Sequence, residues 1–321
     1  MQLMLISLLG FIIGLILCFC LVPLARRIGF RMNIVDLPNY RKIHTDPTPC
    51  SGGLAIYFAF FLSLGIMYLF FLPKDIFRLK DIMGIFVGST LLLGLGIYDD
   101  TRQLRARVKF IWQVAIAIIV ISLGLKINTL FSLPLGWLAI PISLFWFIGF
   151  INTINLIDGL DGLASGIVFI ISLTLLGFAL FFNDAPLSIL TGCLCGTTLI
   201  FLYFNFRKEK IFLGDNGSML LGFLIAGIPI LSVNTLKGAI FDIYAITFLC
   251  AGVPILDVVL AIIRRVKNKV PIFKADQGHI HHRLLDKGID HRQVVVILYA
   301  ITLILGGLAV GIVWMQGKFS Y

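Results

Sequence analysis

Ten stretches of this chain meet or approach the about 20 apolar residues that a helix needs to cross a bilayer core of roughly 30 Å. They run over 3–24, 53–72, 82–98, 110–125, 135–151, 163–182, 187–205, 217–233, 239–263 and 294–315. Backbone polar groups in hydrocarbon must be satisfied within the segment, so apolar stretches of this length are read as helices. The expected fold is all-α: a polytopic integral membrane protein of about ten transmembrane helices, a single transmembrane domain over 1–321. Apolar residues make up 59% and charged residues 13%, with a mean hydropathy of +1.03, which excludes a soluble globule.

The formal charge of +10 is first a matter of orientation. Twenty of the 26 Lys and Arg fall in the loops after the first, third, seventh and ninth stretches. The positive-inside rule makes those loops cytoplasmic and both termini external, in a plasma or inner membrane. Nucleic-acid binding is excluded because the bases are divided among four short loops between spans. The first stretch has no basic n-region or small-residue cleavage site and is followed by Arg26 and Arg27, so it reads as a retained span. All five His share the cytoplasmic side with most of the acids. Five of the six Cys lie in spans and Cys50 in a loop, with no CxxC spacing; neither zinc nor a disulfide framework is indicated.

Fifteen of the sixteen acids are Asp, a bias toward loops, caps or chemistry. The third stretch ends in Asp99-Asp100, adjacent carboxylates that repel unless a cation or proton intervenes. Four bases, Arg102, Arg105, Arg107 and Lys109, follow. The fifth loop, Asn152-Thr153-Ile154-Asn155-Leu156-Ile157-Asp158-Gly159-Leu160-Asp161-Gly162, has polar groups among apolar neighbours, costly unless paired or bound to a cation; caps and Asx turns are the plainer account. The seventh loop passes from Arg207, Lys208 and Lys210 through Phe212 to Gly214-Asp215-Asn216-Gly217-Ser218. A Gly-flanked helix start suits a phosphate and an Asp there suits Mg²⁺, although Asp-Asn-Gly alone is an ordinary turn. The ninth loop holds His279-Ile280-His281-His282-Arg283, in which the Arg argues for an anionic ligand. Arg41-Lys42-Ile43-His44 in the first loop is a further phosphate candidate, or plain positive-inside charge. Asp257 stands seven residues before Arg264 on one helix face, where a structural pairing is open.

In this order, from Lys42 to Arg292, these segments resemble the polyprenyl-phosphate N-acetylhexosamine-1-phosphate transferases. Each motif is moderately specific alone; together they are very specific. His279 to Leu285 is similar to the bacterial branch that makes undecaprenyl-pyrophosphoryl-GlcNAc for teichoic acid, O-antigen or related glycans. The sister branch that transfers phospho-MurNAc-pentapeptide usually has three consecutive His where this chain has His281, His282 and Arg283.

The resemblance implies transfer of GlcNAc-1-phosphate from UDP-GlcNAc to undecaprenyl or another polyprenyl phosphate, with release of UMP. It implies Mg²⁺ as cofactor, with Mn²⁺ a possible substitute, and a homodimer as a possible assembly. Matched motif to motif, Asp215 is the principal metal ligand with Asn155 beside it and Asp100 in support. Asp99 deprotonates or orients the lipid phosphate, with Asp215 an equally defensible base. Lys109 binds the pyrophosphate, Phe212 stacks on uracil and Asp161 hydrogen-bonds the base. Asp158, His279, His281, His282 and Arg283 shape the substrate pocket, and Lys42 and His44 join them. A secondary transporter is the competing class; it would gather ionisable groups near the midplane, whereas here they fall at span ends.

Overall fold

The computed structural model describes residues 2–36, 47–73, 76–77, 79–130, 133–207, 210–232, 240–271 and 278–318. Lys42 and His44 lie outside the described residues. Among these described residues twelve α-helices follow in chain order: α1 (Gln2–Arg31), α2 (Gly52–Phe70), α3 (Leu79–Arg102), α4 (Ala106–Ser122), α5 (Ala139–Ile157), α6 (Leu163–Phe181), α7 (Ala185–Asn205), α8 (Gly214–Ser232), α9 (Ile240–Cys250), α10 (Gly252–Lys267), α11 (Ile280–Asp286) and α12 (His291–Lys318). Two short antiparallel ribbons depart from the all-helical expectation: β1 (Val35–Asp36) with β2 (Thr48–Pro49), and β3 (Thr129–Leu130) with β4 (Leu133–Pro134).

Among the described residues, eight helices are individually long and apolar enough to cross a membrane, and two of the ten expected stretches are not among them. The stretch 110–125 is α4, whose 17 residues reach only about 26 Å at 1.5 Å per residue. The stretch 239–263 is two helices, α9 and α10, that meet at a 66° bend around Ala251. Pro254 in the first turn of α10 has no N–H to continue a ladder from α9, so the chain restarts there. Counted as one broken span, this pair is the ninth.

The packing places α8 at the centre, with every residue from Asn216 to Ser232 buried, against α2, α3 and α5. The partners of α8 approach closely where side chains are absent: a methyl group at Gly222 would come 2.6 Å from the Phe150 carbonyl oxygen of α5. Along the rim, α1 buries Ser7, Gly10, Gly14 and Cys18 against Gly192 and Gly196 of α7. A methyl on Gly14 would meet the Cys193 carbonyl at 2.7 Å. Small residues four apart on both helices supply the close packing that holds helices together in lipid. One end of this bundle carries the ends of α3, α5 and α7 and the starts of α4, α6 and α8, and the candidate site is built there.

Candidate active site

The site begins with how α3 turns into α4. Gln103, at φ +51°, reverses the chain, and Asp99 holds the corner: its Oδ1 accepts the Leu104 N–H at 2.7 Å. The three-residue connection returns α4 beside α3, so that Lys109 Nζ reaches Asp99 Oδ2 at 2.8 Å and Asp215 Oδ2 at 2.9 Å. A single ammonium thus lies between two carboxylates from different helices. On the other side of Asp215, Asn155 Nδ2 donates to Oδ1 and to Ser218 Oγ at 2.8 Å. Asp99 is 5% exposed and Asp215 32%, so Asp215 is the more accessible member of the pair.

Asp100 faces away from Lys109 and closes the start of α8. Its Oδ1 accepts the Asp215 N–H at 2.9 Å and its Oδ2 the Asn216 N–H at 3.0 Å; Asn216 Nδ2 also donates to Oδ2. A carboxylate at a helix N-terminus satisfies orphan N–H groups and faces the positive end of the dipole. Two glycines make this possible. Gly214 adopts φ +72°, a left-handed conformation that side chains resist, and a methyl on Gly96 would fall on the Asn216 backbone. The turn is laced to the start of α2 by Gly52 N–H to Phe212 O (3.0 Å) and Phe212 N–H to Pro49 O (2.9 Å).

Asp158, Asp161 and Phe212 stand across a cavity of about 530 Å³ that is also lined by Asp100, Asn155, Asp215, Lys210 and His282. Lys210 Nζ pairs with Asp161 Oδ2 at 2.7 Å and lies over the Phe212 ring, 4.9 Å from its centroid. Asn205 joins the two loops, donating to the Ile211 carbonyl at 2.7 Å and accepting from Gly162 N–H. Burial, reinforced by the negative charges of Asp215, Asp100 and Asp161, raises the Asp158 carboxyl well above the usual carboxylate range. With Asp36, five Asp residues line this cavity, a place where a hard cation would be favoured.

The histidines divide. His279 Nδ1 is 2.7 Å from Asp257 Oδ2, whose Oδ1 accepts the Ile280 N–H at 2.8 Å, so Asp257 orients the start of α11. His281 is 2% exposed, and both of its ring nitrogens lack a hydrogen-bond partner among the described residues. Burial and the neighbouring His282 push it down to about 4. Its ring lies against Gly159 and, at 4.3 Å between centroids, against His282, which reaches the cavity. Arg283 is exposed and does not line the cavity.

Thus Asp99, Asp100, Lys109, Asn155 and Asp215 form one connected group, while Asp158, Asp161, Phe212 and His282 line the adjoining cavity. His279 and His281 stand behind that wall. Lys210, Asn205, Asn216 and His291 also belong to the site or its support, beyond the residues singled out from sequence. The first three fall in the same loop as Phe212 and Asp215, where proximity to those motifs was the available signal; His291 had none beyond its side of the membrane. Among the described residues no group of three His, Cys, Asp or Glu side chains is already gathered around a metal position. The donor set still fits Mg²⁺: Asp215 faces the cavity with hard oxygen donors, and no hydrogen-bond donor among the described residues reaches the Asp158 carboxylate.

Comparison with known proteins identifies the family. Residues 82–233, which include Asp99 through Asp215, match the model of glycosyl transferase family 4. A Bacillus subtilis protein described as a probable undecaprenyl-phosphate N-acetylglucosaminyl 1-phosphate transferase is 38% identical over 91% of this chain and 81% of its own length. Decaprenyl-phosphate N-acetylglucosaminephosphotransferase of Mycobacterium leprae is 32% identical over 84% of this chain and 74% of its own length. The Escherichia coli undecaprenyl-phosphate alpha-N-acetylglucosaminyl 1-phosphate transferase is 27% identical, over 89% and 78%. With carboxylates, Lys109 and the Asp100-capped start of α8 gathered at one end of a helical bundle and a relative 38% identical over 91% of this chain, the chain belongs to the polyprenyl-phosphate N-acetylglucosamine-1-phosphate transferases of glycosyl transferase family 4.

Proposed function

We propose that this chain transfers GlcNAc-1-phosphate from UDP-GlcNAc to undecaprenyl or another polyprenyl phosphate at the cytoplasmic face of the plasma membrane, as the first membrane step of an envelope glycan. The observation that carries the reading is the Asp99–Lys109–Asp215–Asn155 group at the edge of a cavity that also presents Phe212. An oxygen of the lipid phosphate attacks the sugar-bearing β-phosphorus, the bond from that phosphorus to the bridging oxygen breaks, and UMP leaves with the electron pair. One pyrophosphate bond replaces another, so the protein's work is to position two anions and screen their charge.

Lys109 is held charged and aimed by Asp99 and Asp215, ready to meet the pyrophosphate. All four oxygens of the pair are engaged, but Asp99 is 5% exposed and Asp215 32%, which favours an orienting task for Asp99 and leaves Asp215 to face the reactants. Asp215, with Asn155 and Asp100 close by, would hold Mg²⁺; Asp100 enters through the lone pairs that its capping bonds leave over. When bound, Mg²⁺ supplies charge neutralisation between the phosphates and polarises the β-phosphate. Phe212 offers a ring face to the uracil and Asp161 an acceptor to its edge.

A secondary transporter fits less well because these ionisable groups gather at helix ends and not at mid-span. The deciding experiment uses purified protein in detergent with polyprenyl phosphate and a panel of UDP-sugars, UDP-MurNAc-pentapeptide included. UDP-GlcNAc should release UMP in a Mg²⁺-dependent way, and Asp215→Ala should abolish the release while remaining monodisperse. Full activity of that variant would overturn the metal assignment, and preference for the MurNAc donor would move the chain to the sister branch.

A further inference from the structure

One helical turn deeper into the bundle, a second polar layer underlies the reacting one. Four residues beyond Lys109 on α4 is Gln113, three before Asn155 on α5 is Asn152, and four beyond Asp215 on α8 is Met219, so each stands under its counterpart. Asn152 Nδ2 donates to Gln113 Oε1 at 2.8 Å and to its own helix at the Ile148 carbonyl, 2.9 Å away. Gln113 Nε2 turns to the Met219 sulfur at 3.3 Å. The two layers therefore join the same three helices.

Gln113 is completely buried, and a thioether is a weak acceptor. Packing alone would be served better by Leu or Met, which bring no amide to desolvate. What an amide pair adds is direction: one 2.8 Å bond fixes the height and rotation of α4 against α5, and a residue one turn away on the same helix moves with it. Rotation of α4 would swing Lys109 Nζ away from Asp99 and Asp215. Rotation of α5 would withdraw Asn155 from Asp215 and Ser218.

We propose that Gln113 and Asn152 are positioning residues, an amide pair that sets the register of α4 against α5 and thereby holds Lys109 and Asn155 on Asp215. The proposal rests on the transferase reading of that site. Four variants of the full chain test it: Gln113→Leu, Asn152→Leu, the two combined, and the reciprocal exchange Gln113→Asn with Asn152→Gln, which keeps an amide pair of the same total length. Each single Leu variant should lower kcat at least tenfold with KM for UDP-GlcNAc and for polyprenyl phosphate within twofold; Gln113→Leu should do so without a drop in melting temperature, whereas Asn152→Leu, which leaves the buried Gln113 Oε1 without its donor, should also melt lower. The combined Leu variant should be no slower than the slower single, and the exchange should return kcat to within threefold of the parent.

A single Leu variant with kcat within twofold of the parent would overturn the proposal, as would a combined loss equal to the product of the two single losses, or an exchange as slow as the single variants. Distances between spin labels at Ile111→Cys on α4 and Phe145→Cys on α5, both exposed positions, with Cys20 and Cys50 replaced by Ser, give a readout independent of activity. The Leu variants should broaden that distribution and the exchange should narrow it again. An unlabelled parent that releases no UMP while the Leu variants still broaden the distribution would defeat the transferase reading and leave the register role standing; an unchanged distribution would defeat the register role.

Discussion

The Asp100 carboxylate closes the N-terminus of α8 across 115 residues of chain, taking the N–H of Asp215 at 2.9 Å and that of Asn216 at 3.0 Å. The residue proposed to face the phosphates is therefore held at its backbone by one carboxylate while its own carboxylate is held by Lys109 and Asn155. Asp100→Ala should cost about 1–2 kcal/mol of stability, the usual worth of an N-terminal cap, and lower kcat because the Asp215 turn loosens. Asp100→Asn keeps one acceptor and should recover most of the stability but less of the activity. Denaturant titration in detergent alongside kcat separates the two; equal stability of all three proteins would show that the cap contributes nothing.

Lys109 is the counter-charge shared by Asp99 and Asp215. Lys109→Met should reduce kcat on the order of 10²–10³-fold, the scale seen when one aimed donor is removed from a reacting centre. If Asp99 acts by aiming that ammonium, Asp99→Asn should be clearly milder than Asp215→Ala, since an amide oxygen can still accept from Lys109. Matching losses for Asp99→Asn and Asp215→Ala would instead make Asp99 a base in its own right. Steady-state kinetics with saturating lipid decides between them.

How much of this was legible from residue order differs between scaffold and site. Hydropathy located every main helix, because apolar length is a local property, but it ran through Ala251-Gly252-Val253-Pro254 without a break since all four residues suit an apolar segment. The 66° bend comes from backbone chemistry that hydropathy does not weigh. The acidic loops were legible because Asp among apolar neighbours is costly and so informative. Capping by Asp100, bridging by Asn205 and the placement of Lys210 over Phe212 are partnerships between distant segments, and none leaves a periodic trace. Gln113 was hidden inside an apolar stretch where a single polar residue changes the window average little.

Phe212 lies under Lys210 Nζ at the cavity wall, where a base would have to share or displace that contact. Phe212→Ala should raise the KM for UDP-GlcNAc roughly five- to hundredfold, corresponding to about 1–3 kcal/mol of lost stacking, with the KM for polyprenyl phosphate unchanged. Phe212→Tyr should behave nearly as the parent. A change confined to the lipid dependence would place Phe212 against the acceptor and remove the base from that wall.

His281 makes the fold acid-sensitive in a stated direction. Its folded value is pushed from 6.5 down to about 4 by burial and by His282, so the unfolded chain takes up the proton more readily than the folded one. Stability from the neutral ring is fully present above about 6.5, declines as pH falls from there, and is exhausted near 4, below which the folded form is protonated too. The full loss is on the order of 3 kcal/mol. His281→Gln should remove this component: between pH 7 and pH 4 in detergent the parent should lose markedly more unfolding free energy than the variant. Because the ring lies against Gly159, next to Asp158, protonation should also loosen the cavity wall, and UMP release by the parent should fall over the same interval. Parallel stability curves for the two proteins would show that His281 is protonated without cost and that the unpartnered nitrogens are met by solvent.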